Sequence, residues 1–380
     1  MHRARFWSVL SQAMNKVTST EDASGRSPPS VTAEGETLPS DPQRLRYVSI
    51  AQPETGRCAP VAQNVLWVRI PLPIDLNHIN VWLIGAGDGY IAVDTGMAAS
   101  MCKDAWQLIE AGPFSSKPLK AVFVTHLHPD HIGLAGWLQE RYGIPVLMSE
   151  RTHELAHAVF GSSAPSGSEV EVFLRSHGVM DLAQLQPLFK PERFARMTSG
   201  LPDVRQYVEG GETVVWGASQ WSAIRTDGHA EGHLCLYDAA GKVLISGDQV
   251  LPTISSNISV MLRNRDTNPL GSYLSSLERL SRLPEDTLVL PSHGAPFYGL
   301  QHRVEDLRGH HERQLSKLIE TCSEPTTAHG VLSVLFRREP AGMHLFLALG
   351  EAIAHLEYLV HEGRMERHLE QGVRRYATLP

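Results

Sequence analysis

The chain has 380 residues, of which 42% are hydrophobic and 20% charged, and its formal net charge at pH 7 is −7. These values exclude a wholly disordered, collagen-like or coiled-coil chain, and the length is sufficient for two or three domains. The mild acidity gives no general attraction to the phosphates of nucleic acids or to anionic membranes. Histidine is abundant, with 19 residues against 4 cysteines. Any metal chemistry would therefore rest on imidazole and carboxylate ligands.

The cysteines are widely separated, at Cys58, Cys102, Cys235 and Cys322. This spacing favours neither a thiolate zinc site nor a secreted disulfide framework, so we expect a reducing, cytoplasmic setting. No uncharged run reaches the 18 or more apolar residues of a membrane span, and residues 1–17 lack the apolar core of a signal peptide. We expect neither a transmembrane helix nor a membrane partner.

The first 45 residues are predicted to be a disordered leader. Serine, threonine, proline, glycine and acidic residues dominate from position 18 to about 43, and large apolar side chains are few. Such a segment cannot bury enough apolar surface to offset the entropy of ordering it. We place an ordered catalytic domain over residues 46–300.

Short apolar segments alternate with helical patterns after the leader, which indicates an α/β fold. Strands are predicted at 64–70, 79–85, 90–94, 121–125 and 145–149, and helices at 99–110 and 131–142.

The region from about 150 to 207 is predicted to be a helical insertion of two or three helices, because apolar residues recur there at helical spacing. Strands return at 213–216, 221–226, 233–238, 242–247 and 287–291, with a helix between 268 and 283. Residues 301–380 carry two helical stripes and a turn-like segment near the end, which predicts a small helical domain closed by a hairpin.

The segment His126-Leu127-His128-Pro129-Asp130-His131 follows an apolar strand directly. Three imidazoles and one carboxylate in these fixed positions are expected by chance roughly 0.002 times in such a chain. Burying them without a cation would leave polar groups unpaired, whereas a divalent ion would compensate them. The cluster therefore predicts a metal site.

Further candidate ligands follow other apolar strands. His229 comes after the strand at 221–226, Asp248 after 242–247 and His293 after 287–291. Loops at the ends of strands are where α/β proteins commonly place their functional sites.

This order of histidines and aspartates, with Val-Asp-Thr-Gly at 93–96, resembles the metallo-β-lactamase superfamily over residues of about 60–300. The resemblance implies an αββα sandwich of two mixed β-sheets flanked by helices. It also implies two divalent metal ions, for which we expect zinc, with iron or manganese as alternatives. The implied ligands are His126, His128 and His229 for one ion, Asp130, His131 and His293 for the other, and Asp248 as the bridge between them.

The resemblance further implies that a hydroxide between the two ions is the nucleophile of a hydrolytic reaction. Two cations lower the pKa of bound water and stabilise negative charge that develops on the substrate. Asp130 could relay a proton to the leaving group. Asp130 and Asp248 are therefore the predicted catalytic residues.

An aspartate at position 248 points to the thioesterase, lactonase and nuclease branches of the superfamily, because many true β-lactamases have a cysteine at this ligand position. We expect hydrolysis of a small ester, thioester or lactone by a glyoxalase II-like or lactonase-like enzyme acting on a small molecule. A phosphodiesterase or ribonuclease is an alternative. A mononuclear iron persulfide dioxygenase-like oxidase and a metal-stabilised binding module are further alternatives.

Two regions have open roles. The insertion at 150–207 could overhang the metal centre as a lid, or it could only buttress the sheet.

The C-terminal segment resembles the winged-helix unit that follows the catalytic domain in some superfamily members. Residues 301–380 contain ten Lys and Arg against eleven Asp and Glu, a mixed surface rather than a phosphate-binding stripe. Nucleic acid binding is therefore not expected, and this segment would pack beside the active site or form a homodimer.

Several other polar residues have weaker predicted roles. His233 could support a metal ligand or simply bond the backbone. Candidate substrate contacts are Asn257, Arg263 and Arg265. His153, His157 and His177 of the insertion could face the pocket, but a surface position is expected for them. His310 and His311 are expected to be exposed.

Overall fold

Two mixed β-sheets form the centre of the protein, in a computed structural model that describes residues 44–183, 185–186, 190, 194–264 and 267–379. The first sheet has the strand order β2 (Cys58–Ala62), β3 (Val65–Pro71), β4 (His78–Gly85), β5 (Tyr90–Val93), β6 (Leu119–Phe123), β7 (Val146–Met148) and β8 (Gln206–Tyr207). The second has the order β1 (Arg46–Tyr47), β14 (Phe297–Tyr298), β13 (Leu288–Pro291), β12 (Val243–Gly247), β11 (Leu234–Asp238), β10 (Ser219–Arg225) and β9 (Thr213–Trp216). The predicted leader falls mainly on residues 1–43, which lie outside the described part.

Helices cover the outer faces of both sheets. The catalytic part contains α1 (Ser100–Ala111), α2 (Pro129–Ile132), α3 (Ala135–Tyr142), α4 (Glu150–Phe160), α5 (Gly167–Ser176) and α6 (Pro269–Leu280). The C-terminal part contains α7 (Leu300–Thr321), α8 (Leu332–Leu335), α9 (Met343–His361) and a hairpin of β15 (Met365–Glu370) and β16 (Val373–Thr378).

Alternate side chains of β3 belong to two different apolar layers. Val65 and Trp67 lie in the apolar layer between the two sheets. Val68 and Ile70 lie in the layer between the first sheet and its helices. Because successive side chains point to opposite faces of a strand, a strand buried on both sides is apolar almost throughout. These layers confirm the predicted αββα sandwich.

The predicted helix at 131–142 is in fact two helices, α2 and α3. The backbone leaves the helical region at Leu134, with φ −105° and ψ 6°. The Leu134 amide donates to the Thr95 hydroxyl at 3.1 Å instead of to a helical carbonyl. A side chain from the loop after β5 thus replaces the helical hydrogen bond and turns the chain.

The insertion packs on the C-terminal helices. Val170 and Leu174 of α5 are buried in the same apolar cluster as residues of α7 and α9. His177, at the C-cap of α5, is buried, so the prediction of a surface position was wrong. Its carbonyl accepts from the His329 amide at 3.1 Å. The insertion therefore buttresses the C-terminal part, and its action as a lid stays a prediction.

The helix α9 lies at the centre of the C-terminal part. Within the described residues it is the one helix long and apolar enough to cross a membrane, and 72% of that apolar window is buried inside the protein. It packs against α6, α7 and the terminal hairpin, and it buries Glu351, His355 and Glu357. This is the environment of a core helix, whose side chains are covered by protein.

The expected exposure of His310 and His311 was wrong. Both are buried on α7, and the His311 Nδ1 lies 3.1 Å from the His355 Nε2 of α9. The apolar stripe of α7 was visible in the sequence, but the width of the face that α9 covers was not. A buried histidine pair of this kind depends on packing between distant helices.

Asn80 of β4 ties the two sheets together where β13 ends. Its Oδ1 accepts from the Trp67 indole at 2.8 Å, and its Nδ2 donates to the carbonyls of Pro291 and Gly294 at 2.8 and 2.7 Å. Asn80 is fully buried. A buried amide with these bonds satisfied fixes one sheet edge against the other.

We predict that Asn80→Leu lowers the free energy of unfolding by roughly 3 kcal/mol, because the indole and two carbonyls lose their partner in a buried place. Chemical denaturation measures the change. The matched control is Val215→Ala on β9, where the side chain is exposed, and it should change stability by less than about 0.5 kcal/mol. Equal stability of Asn80→Leu and wild type would contradict this role.

Candidate metal centre

The loops after four strands converge at one edge of the sandwich. The segment from His126 to His131 follows β6 and enters α2, His229 follows β10, Asp248 follows β12 and His293 follows β13. The structure brings together every side chain predicted as a ligand: His126, His128, Asp130, His131, His229, Asp248 and His293.

Three imidazole nitrogens form the first group. The His126 Nε2 lies 3.0 Å from the His128 Nδ1 and 3.2 Å from the His229 Nε2. Asp248 closes this group, with its Oδ2 at 3.6 Å from the His229 Nε2. Ligands about 2.0–2.1 Å from a tetrahedral ion lie about 3.4 Å apart, so this spacing fits one metal ion.

The second group has two imidazoles and two carboxylates. The Asp130 Oδ2 lies 3.5 Å from the His131 Nε2 and 3.2 Å from the His293 Nε2. Asp248 also belongs to this group, because its two oxygens lie 3.3 Å from the His131 Nε2 and 3.6 Å from the His293 Nε2. Its carboxylate therefore reaches both groups.

Some buried atoms of the second group have no hydrogen-bond partner among the described residues. These atoms are the Asp130 Oδ2, the His131 Nε2, the Asp248 Oδ1 and the His293 Nε2. Leaving one such atom unsatisfied costs about 1–3 kcal/mol, so several together need compensation. Nitrogen and carboxylate donors that converge in this way fit a divalent cation.

The first group is prepared for metal binding by its electrostatics. Burial and the neighbouring imidazoles hold the pKa of His126 well below its ordinary value. Burial and His229 lower the pKa of His128 to about 3, and burial lowers the pKa of His229. These imidazoles are neutral at neutral pH, which is the form that binds metal.

The second group has the opposite electrostatic character. Burial by itself lowers the pKa of His131 and His293, but the negative charge of Asp248, with that of Asp130, outweighs burial and raises it well above the ordinary value. The carboxylates thus favour the protonated, positively charged forms of His131 and His293. A metal cation would supply that charge in place of the protons.

Asp94 and Thr125 orient the rings of His131 and His126 through contacts with their Nδ1 atoms. The Asp94 Oδ2 accepts from the His131 Nδ1 at 2.8 Å, and both Asp94 oxygens accept from the Thr125 hydroxyl at 2.9–3.0 Å. The Thr125 oxygen lies 3.0 Å from the His126 Nδ1. The Nε2 atoms of both rings are thereby turned toward the metal position.

Asp94 adopts a positive φ of 66°, which is uncommon for a residue with a side chain. Such a conformation persists where the surroundings enforce it, often at functional sites. The sequence signal was the Val-Asp-Thr-Gly segment at 93–96, which was part of the resemblance to the superfamily but predicted no role at the metal site. Its aspartate is the residue whose role that interpretation missed.

The C-terminal helix α9 supports His229 through a chain of hydrogen bonds. The His229 Nδ1 donates to the Asn257 carbonyl at 2.8 Å, and the Asn257 Nδ2 donates to the Glu351 Oε2 at 3.0 Å. Glu351 and Asn257 are both buried. Asn257 was a candidate substrate contact, but its amide is engaged by this helix.

His233 holds the backbone of Asp248. Its Nε2 accepts from the Asp248 amide at 3.3 Å, and its Nδ1 pairs with the Thr226 hydroxyl at 2.8 Å. A side chain at Gly247, which has φ 53°, would come within 2.4 Å of the His233 Nε2. His233 thus bonds the backbone, and the backbone amide that it bonds belongs to Asp248.

The remaining weak candidates lie elsewhere. Arg263 pairs with Glu169 of α5 at 3.0 Å rather than lining the metal centre, and Arg265 lies outside the described residues. His153 and His157 lie on α4 with their Nε2 atoms 3.1 Å apart, and neither belongs to the two ligand groups.

Two family models match the chain. The metallo-beta-lactamase superfamily model matches residues 74–293. The model of the metallo-beta-lactamase-like C-terminal domain matches residues 315–379. The second match covers the predicted C-terminal domain, whose winged-helix character stays a prediction.

Solved structures and curated relatives agree with these matches. A beta-lactamase domain protein from Burkholderia ambifaria is 34% identical, with a TM-score of 0.82 over 90% of this chain and 100% of its own. A probable metallo-hydrolase of Bacillus subtilis, YqjP, is 26% identical over 83% of this chain and 98% of its own length. The chicken acyl-coenzyme A thioesterase MBLAC2 is 24% identical over 62% of this chain and 79% of its own length.

We predict that Asp94→Asn weakens metal binding at the second group by roughly 10- to 100-fold, because the His131 ring loses its charged partner. Competition with a chromophoric chelator measures the affinity. Asp88→Asn is the matched control, since Asp88 is exposed and pairs only with Lys120 among the described residues. Unchanged affinity in Asp94→Asn would contradict the assigned role.

We also predict that Glu351→Leu weakens the metal at the first group roughly tenfold or more, while Glu351→Gln retains most of the affinity. Glutamine can still accept from Asn257, whereas leucine leaves that amide unpaired. Substitution with Co²⁺ provides a readout beyond activity, because its absorption spectrum reports the geometry of the His229 ligand. Identical spectra for the leucine variant and wild type would show that α9 does not position this histidine.

Proposed function

Because this chain belongs to the metallo-beta-lactamase superfamily of metal-dependent hydrolases, we propose that it hydrolyses a small ester, thioester or lactone at a dinuclear centre. The observation that carries the proposal is the reach of Asp248 into both ligand groups, at 3.3 Å from the His131 Nε2 and 3.6 Å from the His229 Nε2. A carboxylate in this position suits a bridge between two cations.

Nitrogen and oxygen donors of this kind suit zinc, which we propose as the metal, with iron or manganese as alternatives. In the proposed assignment His126, His128 and His229 hold one ion, and Asp130, His131 and His293 hold the other. When bound, two such cations supply a water of lowered pKa and stabilise negative charge on the scissile carbonyl oxygen.

The side chains of the protein have separate tasks in this scheme. Asp94 holds His131, Asn257 holds His229, and the His78 carbonyl accepts from the His293 Nδ1 at 2.9 Å. Asp130 lies in the first turn of α2, and its Oδ2 belongs to the second ligand group, so its other oxygen is the one that would pass a proton to the leaving group. The net reaction adds water across the C–S or C–O bond and yields a carboxylate and a thiol or alcohol.

The comparison with MBLAC2 supports a thioester among the three substrate classes, because that relative is named as an acyl-coenzyme A thioesterase. The full second ligand group supports a hydrolase over the mononuclear oxidase, which needs only one metal. No basic stripe runs along residues 301–379 that would favour a nucleic acid substrate.

The test is turnover by the full chain loaded with Zn²⁺, under nitrogen, on a panel of thioesters, lactones, esters, β-lactams and phosphodiesters. We expect hydrolysis of at least one acyl substrate without oxygen. Asp248→Ala should lower kcat by roughly 10³-fold or more and reduce the metal content, since both groups lose a ligand.

His157→Ala is the control, because His157 is exposed on α4 and belongs to neither ligand group. It should leave turnover and metal content unchanged. Full activity and full metal content in Asp248→Ala would overturn the dinuclear assignment. Cleavage of phosphodiesters alone, or turnover only in oxygen, would establish one of the alternatives instead.

A further inference from the structure

Arg69 of β3 is a half-buried cation that has no acidic partner among the described residues. Its Nη1 donates to the Gln52 Oε1 at 2.8 Å, while its Nε is buried without a hydrogen-bond partner. Within the described residues no carboxylate lies in ion-pair contact with this guanidinium. The Nε and Nη2 edge of an arginine matches the two oxygens of a carboxylate or phosphate.

Arg69 borders a cavity. Arg69 lines a cleft of about 350 Å³ with Thr55, Asn77 and His78 among its other walls. Pro53 and Pro71 supply apolar surface. A concave site with one charged group and a few polar ones is typical of small-molecule recognition.

The cleft adjoins the metal centre. Arg69 pairs with Asn80 across β3 and β4, and Asn80 donates to the Gly294 carbonyl, next to His293. His78, on the wall of the cleft, accepts from His293 through its carbonyl, and the two rings lie 6.3 Å apart. One histidine therefore separates Arg69 from a proposed metal ligand.

The charges around the cleft make Arg69 the residue that would attract an anion. The chain is acidic, with a net charge of −7, and the ligand groups contain two aspartates. Glu54 is the acidic residue on the cleft wall, and its carboxylate forms no ion pair with Arg69. Arg69 is the one arginine or lysine among the described residues that line the cleft, so it determines where the charge of an entering anion lies.

We propose that Arg69 and this cleft bind an anionic group, a carboxylate or a phosphate, on the part of the substrate that lies away from the scissile carbonyl. This inference rests on the proposed function and narrows it to anionic acyl substrates. Arg69 thereby determines specificity, while the ligand groups perform the hydrolysis.

The test compares three acetyl thioesters that share the reacting group and differ in the thiol. The thiols are N-acetylcysteamine, which is neutral, 3-mercaptopropionate, which carries a carboxylate, and 4′-phosphopantetheine, which carries a phosphate. We expect the wild-type full chain, loaded with Zn²⁺, to prefer one anionic thioester over the neutral one by roughly tenfold or more in kcat/KM, as for a charge-assisted hydrogen bond.

Arg69→Met keeps the aliphatic stem and removes the charge, so it should abolish this preference mainly through KM and leave the neutral thioester within about twofold. Arg69→Lys should retain part of the preference. Glu54→Gln should increase it, because the opposing charge leaves the cleft. Arg57→Met, which removes an exposed charge near the cleft, is the matched control and should leave the preference unchanged.

Binding of the S-acetonyl thioethers of the same three thiols, which have no thioester bond to hydrolyse, is measured by calorimetry on the Zn²⁺-loaded full chain and tests the cleft without turnover. If no thioester is hydrolysed, the thioester proposal fails, and calorimetry still decides on Arg69. Equal binding of the neutral and anionic thioethers by wild type would overturn the inference. Equal losses on all three thioesters in Arg69→Met, with no rescue by lysine, would also overturn it and show that Arg69 is structural.

Discussion

The fold depends on the need to compensate buried polar groups at one edge of two stacked sheets. Five imidazoles and two carboxylates meet there, and four of their buried atoms have no hydrogen-bond partner in the described protein. In an interior of low polarity, such atoms are tolerated only when opposite charge is supplied. The strands that end at this edge, the Asn80 bridge between the sheets and the hydrogen bonds beneath the rings all maintain this concentration of ligands.

Local patterns in the sequence were sufficient to predict an α/β fold and a metal site, whereas the sandwich and the assignment of ligands to two ions came from the resemblance to the superfamily. Apolar runs located the long strands to within a few residues, and the segment from His126 to His131 identified the centre. Short strands such as Arg46–Tyr47 and Phe297–Tyr298 were missed, since two residues leave no periodic signal.

Contacts between distant segments could not be predicted. The burial of His310 and His311 depends on where α9 packs, and the bond from Asn257 to Glu351 joins residues 94 positions apart. The role of Asp94 is similar, because its partner His131 is adjacent in space but lies on another loop. Spacing along the chain indicates which residues can bind metal, and tertiary packing determines which residues hold those ligands in place.

The position of Glu351 has a consequence for the order in which the protein matures during synthesis. Translation proceeds from the N-terminus, so His126 and His229 leave the ribosome long before α9. The Asn257 loop meets its buried carboxylate only when the last helix docks. A nascent chain can gather its histidines early, but the support of His229 is completed only when nearly the whole polypeptide is available. Ribosome stalling or premature termination near residue 340 would therefore yield a product in which this ligand lacks its final restraint.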